Sequence, residues 1–404
     1  DDLGKIAKSA YVLERGTYFF YVGTSVRNAE KTAFTLEISE HTIAQQLQSH
    51  LAPTSLSKRL RSDGTYEELP VGSCNDMNAC VFEKMVPGTE EGILPAVRGY
   101  AAAPLYDNGG RRPFLEVAEG TLSLDDFIAQ LSDDDLLHLL GGQPNTGVAN
   151  TFGFGNLPEY GVPSIMTADG PAGLRIAPQC GVCTTAWPCA TLLACTWNPQ
   201  LVDRIGAAGA AEVKENNLAV WLTPAINIHR NPLCGRNFEY YSEDPLVAGK
   251  TGAAMVRGIQ SQHIAASVKH FAVNNKETNR KHSDSRVSER ALREIYLKAF
   301  EIIVREAQPW TIMSSYNVIN GYRASECKEL LEDILRGEWG FTGMVTTDWW
   351  TRGEHYKEIK AGNDVKMGNG YPERVKKAME LGELGRPELE HCARRVLELI
   401  LKID

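Results

Sequence analysis

Residues 219–245 have the sequence AVWLTPAINIHRNPLCGRNFEYYSEDP, in which an apolar run passes directly into a dense polar and aromatic stretch. The apolar part, 219–228, is typical of a buried strand bounded by Pro224. The 17 residues that follow hold one histidine, three aromatic residues and five charged residues, namely Arg230, Arg236, Glu239, Glu243 and Asp244. Charged groups beside a core must be paired or must meet a ligand, because burying an unpaired charge is costly. Two interpretations stay open, a surface loop laced with salt bridges or part of a binding site.

Short apolar runs alternate with amphipathic helical stretches from about residue 119 onward. The runs are 162–169, 219–227, 265–271, 310–317, 343–349 and 361–367, and the helical stretches are 198–216, 245–263, 288–307, 327–338, 371–382 and 387–402. Repeated strand and helix predict a parallel α/β fold. Residues 119–404 suit a (β/α)8-type TIM-like barrel, whose usual size is about 250 residues. A doubly wound open sheet is the alternative, which is disfavoured because no Gly-rich phosphate loop follows the first strand.

The residues before 119 have a different character. The segments 16–26 and 31–39 are rich in Tyr, Phe, Thr and Val, and they predict two antiparallel strands joined by a short turn. Residues 1–70 are therefore predicted to form a partial antiparallel β domain. Residues 71–118 have little periodicity and predict a linker that packs on the barrel. Within the barrel region, apolar spacing over 124–140 predicts a helix that Ser123 or Ser132 caps.

Composition excludes several classes of protein. The 404 residues include 42 basic and 51 acidic side chains, and the net charge of −9 argues against nucleic acid or anionic membrane as partners. No apolar run is long enough to span a membrane. The N-terminus has no signal-peptide pattern, which predicts a cytoplasmic protein, and it has no Met, so we expect the chain to begin within a longer polypeptide.

Metal binding is also disfavoured by the sequence. Nine cysteines cannot all pair with one another, and we expect reduced thiols. Cys180 and Cys183 have zinc-like spacing, but no histidine lies near them, and the chain has no H-x-H or H-E-x-x-H pair. Neither a metal nor a cofactor is expected.

Each apolar run ends in a reactive or hydrogen-bonding residue: Asp169, Asn227, Lys269 with His270, Tyr316 with Asn317, Asp348, and Asp364. In a barrel these ends converge on one face, and that face carries the chemistry of barrel enzymes. A single such residue is explained as a loop cap, whereas several in register indicate an active site. Arginine donors, carboxylate acceptors and aromatic rings are the groups that hold a sugar.

Asp348 lies between a predicted buried strand and two tryptophans, Trp349 and Trp350. Either it caps a helix, or it is a nucleophilic carboxylate beside an aromatic wall for a sugar ring. Lys269 and His270 are adjacent, so both can face one ligand only where the strand ends or twists.

Asp169 precedes a Gly-Pro turn that brings Arg175 back towards it. The pair is explained either as a turn with a salt bridge or as a carboxylate and a guanidinium that bind sugar hydroxyls.

Five segments of the chain resemble glycoside hydrolase family 3, in the family's order. They are TADGPAGLR (167–175), HRNPLCGRNFEYYSEDP (229–245), KHFAVNNKETNR (269–280), IMSSYNVING (312–321) and TTDWW (346–350). The resemblance is strongest to the β-glucosidase branch. The N-acetylglucosaminidase branch is disfavoured, because its histidine motif is replaced by KHFAVNNKETNR. The resemblance implies a retaining exo-glycosidase that acts on terminal non-reducing β-D-glucosyl residues.

The resemblance also implies a role for each matching residue. Asp348 takes the place of the nucleophile, and Asp169 that of the aspartate that grips the far hydroxyls of the terminal sugar. The remaining matches are the sugar-binding donors Arg175, Arg236, Lys269 and His270, the wall residue Met313, the tyrosine Tyr316 near the nucleophile, and the aromatic Trp349 at the boundary between sugar and leaving group.

The segments GTYFFYVGTSVRNAEKTAF and LAPTSLSKRL resemble the fibronectin-III-like region of family members with inverted domain order. In that branch an α/β-sandwich domain supplies the acid/base glutamate, and no part of this chain resembles it. The resemblance therefore implies a companion polypeptide that carries this glutamate, while Glu239 and Glu243 are predicted to orient Arg236 and Lys269. The alternatives are a β-xylosidase or α-L-arabinofuranosidase of the same family, or a non-catalytic sugar-binding fragment.

Overall fold

The computed structural model describes residues 1, 3–53, 56–61, 63–69 and 110–403. The described residues divide into two compact units. One unit comprises the described residues up to 69 together with Arg286–Ala291, and the other comprises residues 110–285 and 292–403. Most of the predicted linker, up to residue 109, lies outside the described residues, so its packing stays a prediction.

The first unit is built from short antiparallel strands. They are β1 (Ala10–Leu13), β2 (Gly16–Val22), β3 (Glu30–Ile38), β4 (Thr42–Gln46), β5 (Lys58–Leu60) and β6 (Tyr66–Glu68). Strand β2 pairs with β3, β1 with β4, and β5 with β6. The predicted pair of strands over 16–26 and 31–39 is therefore confirmed. These three ladders do not establish a fibronectin-III-like domain, and that assignment stays a prediction.

The second unit contains a six-stranded sheet and a small three-stranded sheet. The strands are β7 (Gly153–Leu157), β8 (Val162–Ala168), β9 (Val220–Trp221), β10 (Ala265–Phe271), β11 (Asp284–Ser285), β12 (Thr311–Ser314), β13 (Val318–Ile319), β14 (Tyr322–Arg323) and β15 (Met344–Thr347). The order in the large sheet is β15-β12-β10-β9-β8-β7, and the small sheet has the order β11-β13-β14. All neighbours in the large sheet are parallel except β7 and β8.

Single bridges continue the large sheet beyond its edge strands. They join Thr346 to Val365, Lys366 to Gly141, and Gln143 to Gly153 on β7. The sheet is therefore curled and mixed. The prediction of an α/β fold is confirmed, but a regular parallel eightfold barrel is not. Strands β7 and β8 form an antiparallel hairpin, and the predicted strand at 361–367 is represented by bridges alone.

The described residues form eleven α-helices, and all but one of them belong to the second unit. They are α1 (Leu115–Ala118), α2 (Leu124–Ala129), α3 (Asp133–Leu139), α4 (Ala190–Cys195), α5 (Pro199–Glu215), α6 (Pro245–Gln260), α7 (Glu289–Ala291, in the first unit), α8 (Lys298–Ala307), α9 (His355–Lys360), α10 (Pro372–Glu380) and α11 (Arg386–Lys402). Among the described residues there are also two π-helical segments, Leu292–Tyr296 and Glu329–Glu338, and four single 3₁₀ turns, Pro158–Tyr160, Pro178–Cys180, Asn237–Glu239 and Ala324–Glu326.

The predicted helix over 124–140 is two helices. The Ser123 side chain accepts a hydrogen bond from the backbone N–H of Asp126 and begins α2. Ser132 accepts from the N–H of Asp135, whose carboxylate accepts from the N–H of Ser132 in return, and this capping box begins α3. Both serines are caps, because each satisfies a backbone donor that a new helix leaves unpaired.

Close helix packing holds the second unit together. Helices α5 and α6 approach so closely that a Cβ at Gly258 would collide with the backbone carbonyl of Asp203. The large hydrophobic core includes residues of α2, α3 and α11 together with the sheet. None of the helices in the described part of the chain is long and apolar enough to cross a membrane.

Candidate active site

The ends of β8, β10, β12 and β15 lie at one end of the sheet, where they surround a cavity of about 250 Å³. The residues that line it are Asn150, Thr151, Asp169, Leu222, Arg236, Lys269, His270, Arg280, Met313, Asp348 and Trp349. Seven of the nine site residues predicted from the sequence are in this set. The volume is slightly below the range of about 300–1,000 Å³ that is usual for ligand sites, and it suits one small ligand.

Asp348 directly follows β15, and its carboxylate is buried in the cavity wall. Its backbone N–H donates to the carbonyl of Ser314 at 3.0 Å, and its Oδ1 accepts from the N–H of Trp349 at 2.7 Å. Burial raises the pKa of Asp348 above its ordinary value, and the nearby Arg236 charge and the Trp349 N–H oppose that rise. The side chain does not cap a helix, so the cap interpretation is wrong.

His270 is fixed as a neutral imidazole. Its Nδ1 lies 3.3 Å from Oδ1 of Asn227, which also accepts from the His270 backbone N–H at 2.9 Å. Arg236 Nη2 donates to Nε2 of His270 at 2.9 Å. Burial, with the charges of Arg236 and Lys269, holds the pKa of His270 well below its usual value. Asn227, which does not line the cavity, therefore positions the His270 side chain.

Arg236 contacts both the histidine and a buried acid. Its Nε donates to Glu239, which is buried, while Nη2 reaches His270. Burial opposes the charge of the guanidinium, but Tyr240 and Glu239 raise the pKa of Arg236, so the group stays cationic. Glu239 orients Arg236 as predicted. Glu243 is exposed and does not orient Lys269, whose carboxylate partner is Asp169.

Asp169 and Lys269 form an ion pair in the cavity wall. Lys269 Nζ donates to Oδ1 of Asp169 at 2.6 Å, and Arg175 Nη1 donates to Oδ2 at 3.1 Å. Burial acts to raise the pKa of Asp169, but Lys269 outweighs it and brings the value to about 2. The carboxylate is therefore anionic at any physiological pH. The Arg175 side chain is 61% exposed and contacts Asp169 from outside the lining set.

Met313, Trp349 and Tyr316 form the apolar and aromatic part of the site. Met313 and Trp349 line the cavity, and the buried Nε1–H of Trp349 has no hydrogen-bond partner among the described residues. Tyr316 lies behind the lining and donates from its hydroxyl to the carbonyl of Trp349 at 2.7 Å. Burial and the Asp348 carboxylate raise the pKa of Tyr316, which keeps the phenol protonated.

Adjacent residues 269 and 270 both line the cavity, although neighbours on a strand point to opposite faces. The parallel ladder between β10 and β12 is irregular at this point, since Lys269 pairs with Met313 and Phe271 with Ser314. His270 is thus skipped in the ladder, and its side chain turns to the same cavity as that of Lys269.

A comparison with known protein families matches residues 156–399 to the N-terminal domain of glycosyl hydrolase family 3. The chain belongs to this family. A β-glucosidase A from Butyrivibrio fibrisolvens is 57% identical over 398 residues, which cover 96% of this chain and 48% of that protein. An exo-α-(1→6)-L-arabinopyranosidase from Bifidobacterium longum is 44% identical over 291 residues, 70% of this chain and 36% of that protein.

Solved structures give the same result. A β-glucosidase from Paenibacillus barengoltzii matches with a TM-score of 0.83 and 36% identity, over 100% of this chain and 46% of that one. The chain spans about half the length of the relatives that it matches over almost its whole extent. The predicted family, and its β-glucosidase branch, are confirmed.

Four lining residues of this family 3 site were not predicted as site residues: Asn150, Thr151, Leu222 and Arg280. Arg280 is the last residue of KHFAVNNKETNR, one of the segments that resemble the family, so the sequence did contain a signal for this residue. Its guanidinium lies 4.6 Å from the ring centre of Tyr316 and pairs with Glu277 at 2.9 Å. Asn150 and Thr151 precede β7 and have no pattern in the sequence that marks them. No cluster of three metal-ligating side chains occurs in the part of the chain that the structure describes.

Proposed function

We propose that this chain is the nucleophile-bearing part of a retaining exo-glycosidase that hydrolyses terminal non-reducing β-D-glucosyl residues. The observation that carries the proposal is the buried Asp348 carboxylate in the wall of a sugar-sized cavity that also contains the Asp169–Lys269 pair. A carboxylate in this setting can attack the anomeric carbon and form a covalent glycosyl-enzyme. The name of the relative from Butyrivibrio fibrisolvens supports glucose as the sugar.

The lining supplies the contacts that a hexose needs. Asp169, which stays ionised, accepts hydrogen bonds from two hydroxyls, and Lys269 donates beside it. Arg236 contributes a cation close to Asp348 and His270. The unpartnered Nε1–H of Trp349 donates to a sugar oxygen, which satisfies a buried polar group that is otherwise costly. Met313 and Leu222 contact the C–H face of the ring.

In the first step a bond forms between Asp348 and C1 while the bond from C1 to the glycosidic oxygen breaks. The leaving oxygen takes a proton from an acid, and water later attacks C1 and restores the carboxylate. Among the described residues that line the cavity, the carboxylates are Asp169 and Asp348. Asp169, with a pKa of about 2, has no proton to give at neutral pH.

We therefore propose that the acid/base glutamate lies outside the described residues, on a separate segment or a companion polypeptide. A chain without this acid reacts with glycosides whose leaving group needs no proton, and reacts poorly with natural disaccharides. Efficient turnover of cellobiose by the pure 404-residue chain would contradict a companion polypeptide.

The test is labelling with 2,4-dinitrophenyl 2-deoxy-2-fluoro-β-D-glucoside, which forms a long-lived adduct and needs no acid catalyst. Intact mass and peptide mapping should place one fluoroglucosyl group on Asp348, and Asp348→Asn should abolish it. An adduct on a different residue refutes the assignment of the nucleophile. Glucose binding without any adduct favours the sugar-binding fragment.

A second candidate is hydrolysis of pentopyranosides, because the Bifidobacterium longum relative is named as an arabinopyranosidase. Rates of dinitrophenol release from the β-D-glucoside, the β-D-xyloside and the α-L-arabinopyranoside separate the two. A higher rate with either pentoside would replace glucose as the preferred sugar.

A further inference from the structure

We propose that Thr351, Glu358 and Lys366 form a buried positioning cluster, which holds the segment after Asp348 and so keeps its carboxylate in the orientation that attacks the sugar. None of the three lines the cavity. They therefore act through the main chain that they anchor and do not touch the substrate. The inference rests on the proposed function and deepens it, because it concerns how the proposed nucleophile is held.

Hydrogen bonds pair the charged groups of the cluster completely. Glu358 Oε2 accepts from Lys366 Nζ at 2.6 Å, and Glu358 Oε1 accepts from the Thr351 hydroxyl at 2.8 Å. The hydroxyl of Ser325 donates to the same Oε1 at 2.7 Å. Lys366 Nζ also donates to Thr351 Oγ1 at 2.9 Å and to the carbonyl of Gly353 at 3.0 Å. The three donors of the ammonium are therefore all used, and the side chains of the cluster are buried.

The main chain at Gly353 lies directly against the Glu358 carboxylate. A Cβ at this glycine would collide with Oε1 of Glu358 and would lie 3.0 Å from Oγ of Ser325. Because the main chain and the carboxylate are in contact, a displaced Glu358 side chain also displaces residues Thr351–Gly353. The position of this segment is thus set by the cluster.

Main-chain hydrogen bonds connect both neighbours of Lys366 to the residues on either side of the nucleophile. The carbonyl of Val365 accepts from the N–H of Thr347 at 2.9 Å, and the carbonyl of Met367 accepts from the N–H of Trp350 at 2.8 Å. Thr347 Oγ1 also accepts from the N–H of Met367 at 2.9 Å. Residues 365–367 therefore run alongside residues 347–350, and the Lys366 side chain ties the first segment to the residues that follow the second.

The segment after Asp348 also bonds directly to its carboxylate. The N–H of Trp349 donates to Oδ1 of Asp348 at 2.7 Å. Only Trp350 separates Trp349 from Thr351 in the chain. A shift of Thr351 therefore passes to the Trp349 N–H, and the direction of Oδ1 changes with it.

A buried ion pair is poor evidence for stability alone, because the lost hydration of both charges offsets most of their attraction. Apolar side chains of similar size often stabilise a protein as well. A fully hydrogen-bonded polar network differs from them in that its donors and acceptors specify one arrangement. In this protein the arrangement that is specified belongs to the segment that follows the nucleophile.

The test measures labelling of Asp348 by the dinitrophenyl fluoroglucoside at several reagent concentrations, on the full chain. Such data give two constants, the rate at saturating reagent and the reagent concentration at half that rate. The variant Lys366→Met/Glu358→Gln leaves no charge of the pair buried and unpaired. It should lower the saturating rate about ten- to a hundredfold, a loss of the order expected when a reacting group is misplaced by about 1 Å. The half-saturating concentration should equal that of the wild type, because the lining of the cavity is unchanged.

Two variants of Thr351 separate positioning from general stability. Thr351→Val keeps the shape of the side chain but removes the hydroxyl that bonds to Glu358 and Lys366. It should slow labelling at saturating reagent. Thr351→Ser keeps the hydroxyl and should restore most of the wild-type rate. Melting curves are recorded for each variant, and a purely structural role predicts that the labelling rate does not differ between folded variants.

The ion pair of Arg293 and Glu338 offers a matched control. The two side chains are 9% and 15% exposed, and Nη1 lies 2.7 Å from Oε2. The pair joins the two π-helical segments, and neither residue lines the cavity. Arg293→Met/Glu338→Gln removes a pair that is also largely buried, and it should leave both labelling constants unchanged.

The outcomes separate this inference from the proposed function. A saturating rate in Lys366→Met/Glu358→Gln equal to that of the wild type overturns the inference, and so does equal slowing in the Arg293 control. If the Lys366 variant does not fold, the two Thr351 variants decide, and a Thr351→Ser variant as slow as Thr351→Val overturns the inference. If wild-type Asp348 is not labelled at all, the proposed function itself fails, and the inference fails with it.

Discussion

Nε2 of His270 lies 3.9 Å from Oδ2 of Asp348, yet the two groups do not form an ion pair. Asn227 faces Nδ1, and Arg236 donates to Nε2, so the imidazole is an acceptor on the side that faces the carboxylate. Burial and two neighbouring cations keep it neutral. The positive charge that opposes the raised pKa of Asp348 therefore comes first from Arg236.

Removal of the Arg236 charge should change how the rate of the labelling reaction depends on pH, on the acid side of the profile. The variant Arg236→Met/Glu239→Gln removes the guanidinium and neutralises its buried partner together. Asp348 reacts as the carboxylate, so the rate falls as pH drops through its pKa. Because loss of Arg236 raises the pKa of Asp348 further, the fall in rate should begin at a higher pH than in the wild type. The measurement is the rate of fluoroglucoside labelling from acid to neutral pH.

Arg230→Met is the control for that experiment, because Arg230 belongs to the same arginine-rich stretch but is exposed. In Arg230→Met the labelling rate should fall at the same pH as in the wild type. If the labelling rate of the double variant also falls at the same pH as that of the wild type, Arg236 does not set the pKa of the nucleophile.

The imidazole of His270 should remain neutral at a pH at which an ordinary histidine side chain is already protonated. The physical reason is that protonation would place a buried cation against Arg236 and Lys269. Nitrogen chemical shifts of the ring, assigned with a His270→Gln sample, report the protonation state directly. A titration step between about pH 6 and 7 would contradict the hydrogen-bond assignment.

Asp169→Asn should destabilise the protein in a pH-dependent way. Lys269 is 3% exposed and loses its carboxylate partner, so a cost of about 1–3 kcal/mol in the free energy of unfolding is expected near neutral pH. The pKa of Asp169 is lowered from 3.8 to about 2, so its stabilisation is present above pH 4 and is lost as pH falls towards 2.

Urea unfolding at pH 6 and at pH 3 measures this difference between wild type and Asp169→Asn. The gap should narrow at the lower pH. The double variant Asp169→Asn/Lys269→Met, which leaves no buried lysine unpaired, should recover part of the stability at pH 6. An equal difference in the free energy of unfolding at both pH values would mean that protonation of Asp169 does not change the stability that the ion pair contributes.

The sequence located the site because parallel strands end at the same edge, and four of the strand-end positions hold Asp169, Lys269 with His270, Tyr316 and Asp348. It did not distinguish a residue that lines the cavity from one that supports the lining. Asn227 holds His270, and Asp364 accepts from Arg336 and Arg395 in a buried ion network. Both have the same sequence context as the lining residues, and their side-chain direction depends on the local twist of the chain.

The bounds of the strands and helices were harder to predict from the sequence than the position of the site. The apolar run at 219–227 forms only two residues of strand, since β9 ends at Trp221. The run at 361–367 forms isolated bridges instead of a strand, and its Asp364 and Lys366 side chains form buried ion pairs. The prediction over 124–140 treated Ser123 and Ser132 as alternative caps of one helix, whereas each of them begins a helix of its own.

Lys366 and Glu358 form one of these ion pairs, and both side chains are fully buried, with Nζ 2.6 Å from Oε2. The lysine also donates to Thr351 and to the carbonyl of Gly353, in the segment that follows Trp349 and Trp350. Lys366→Met leaves the Glu358 charge unpaired, and we expect a loss of about 3–5 kcal/mol in the free energy of unfolding. Lys366→Met/Glu358→Gln should recover much of it.

The matched control is Lys250→Met, because the Lys250–Glu306 pair has the same 2.6 Å separation but side chains that are 50% and 38% exposed. Solvent screens such a pair, so the loss there should stay below about 1 kcal/mol. Chemical denaturation of the three variants beside wild type gives these values. Losses of similar size at Lys366 and Lys250 would mean that burial does not determine how much stability is lost when the lysine of an ion pair is removed. Other contacts would then have to hold the Thr351–Gly353 segment in place.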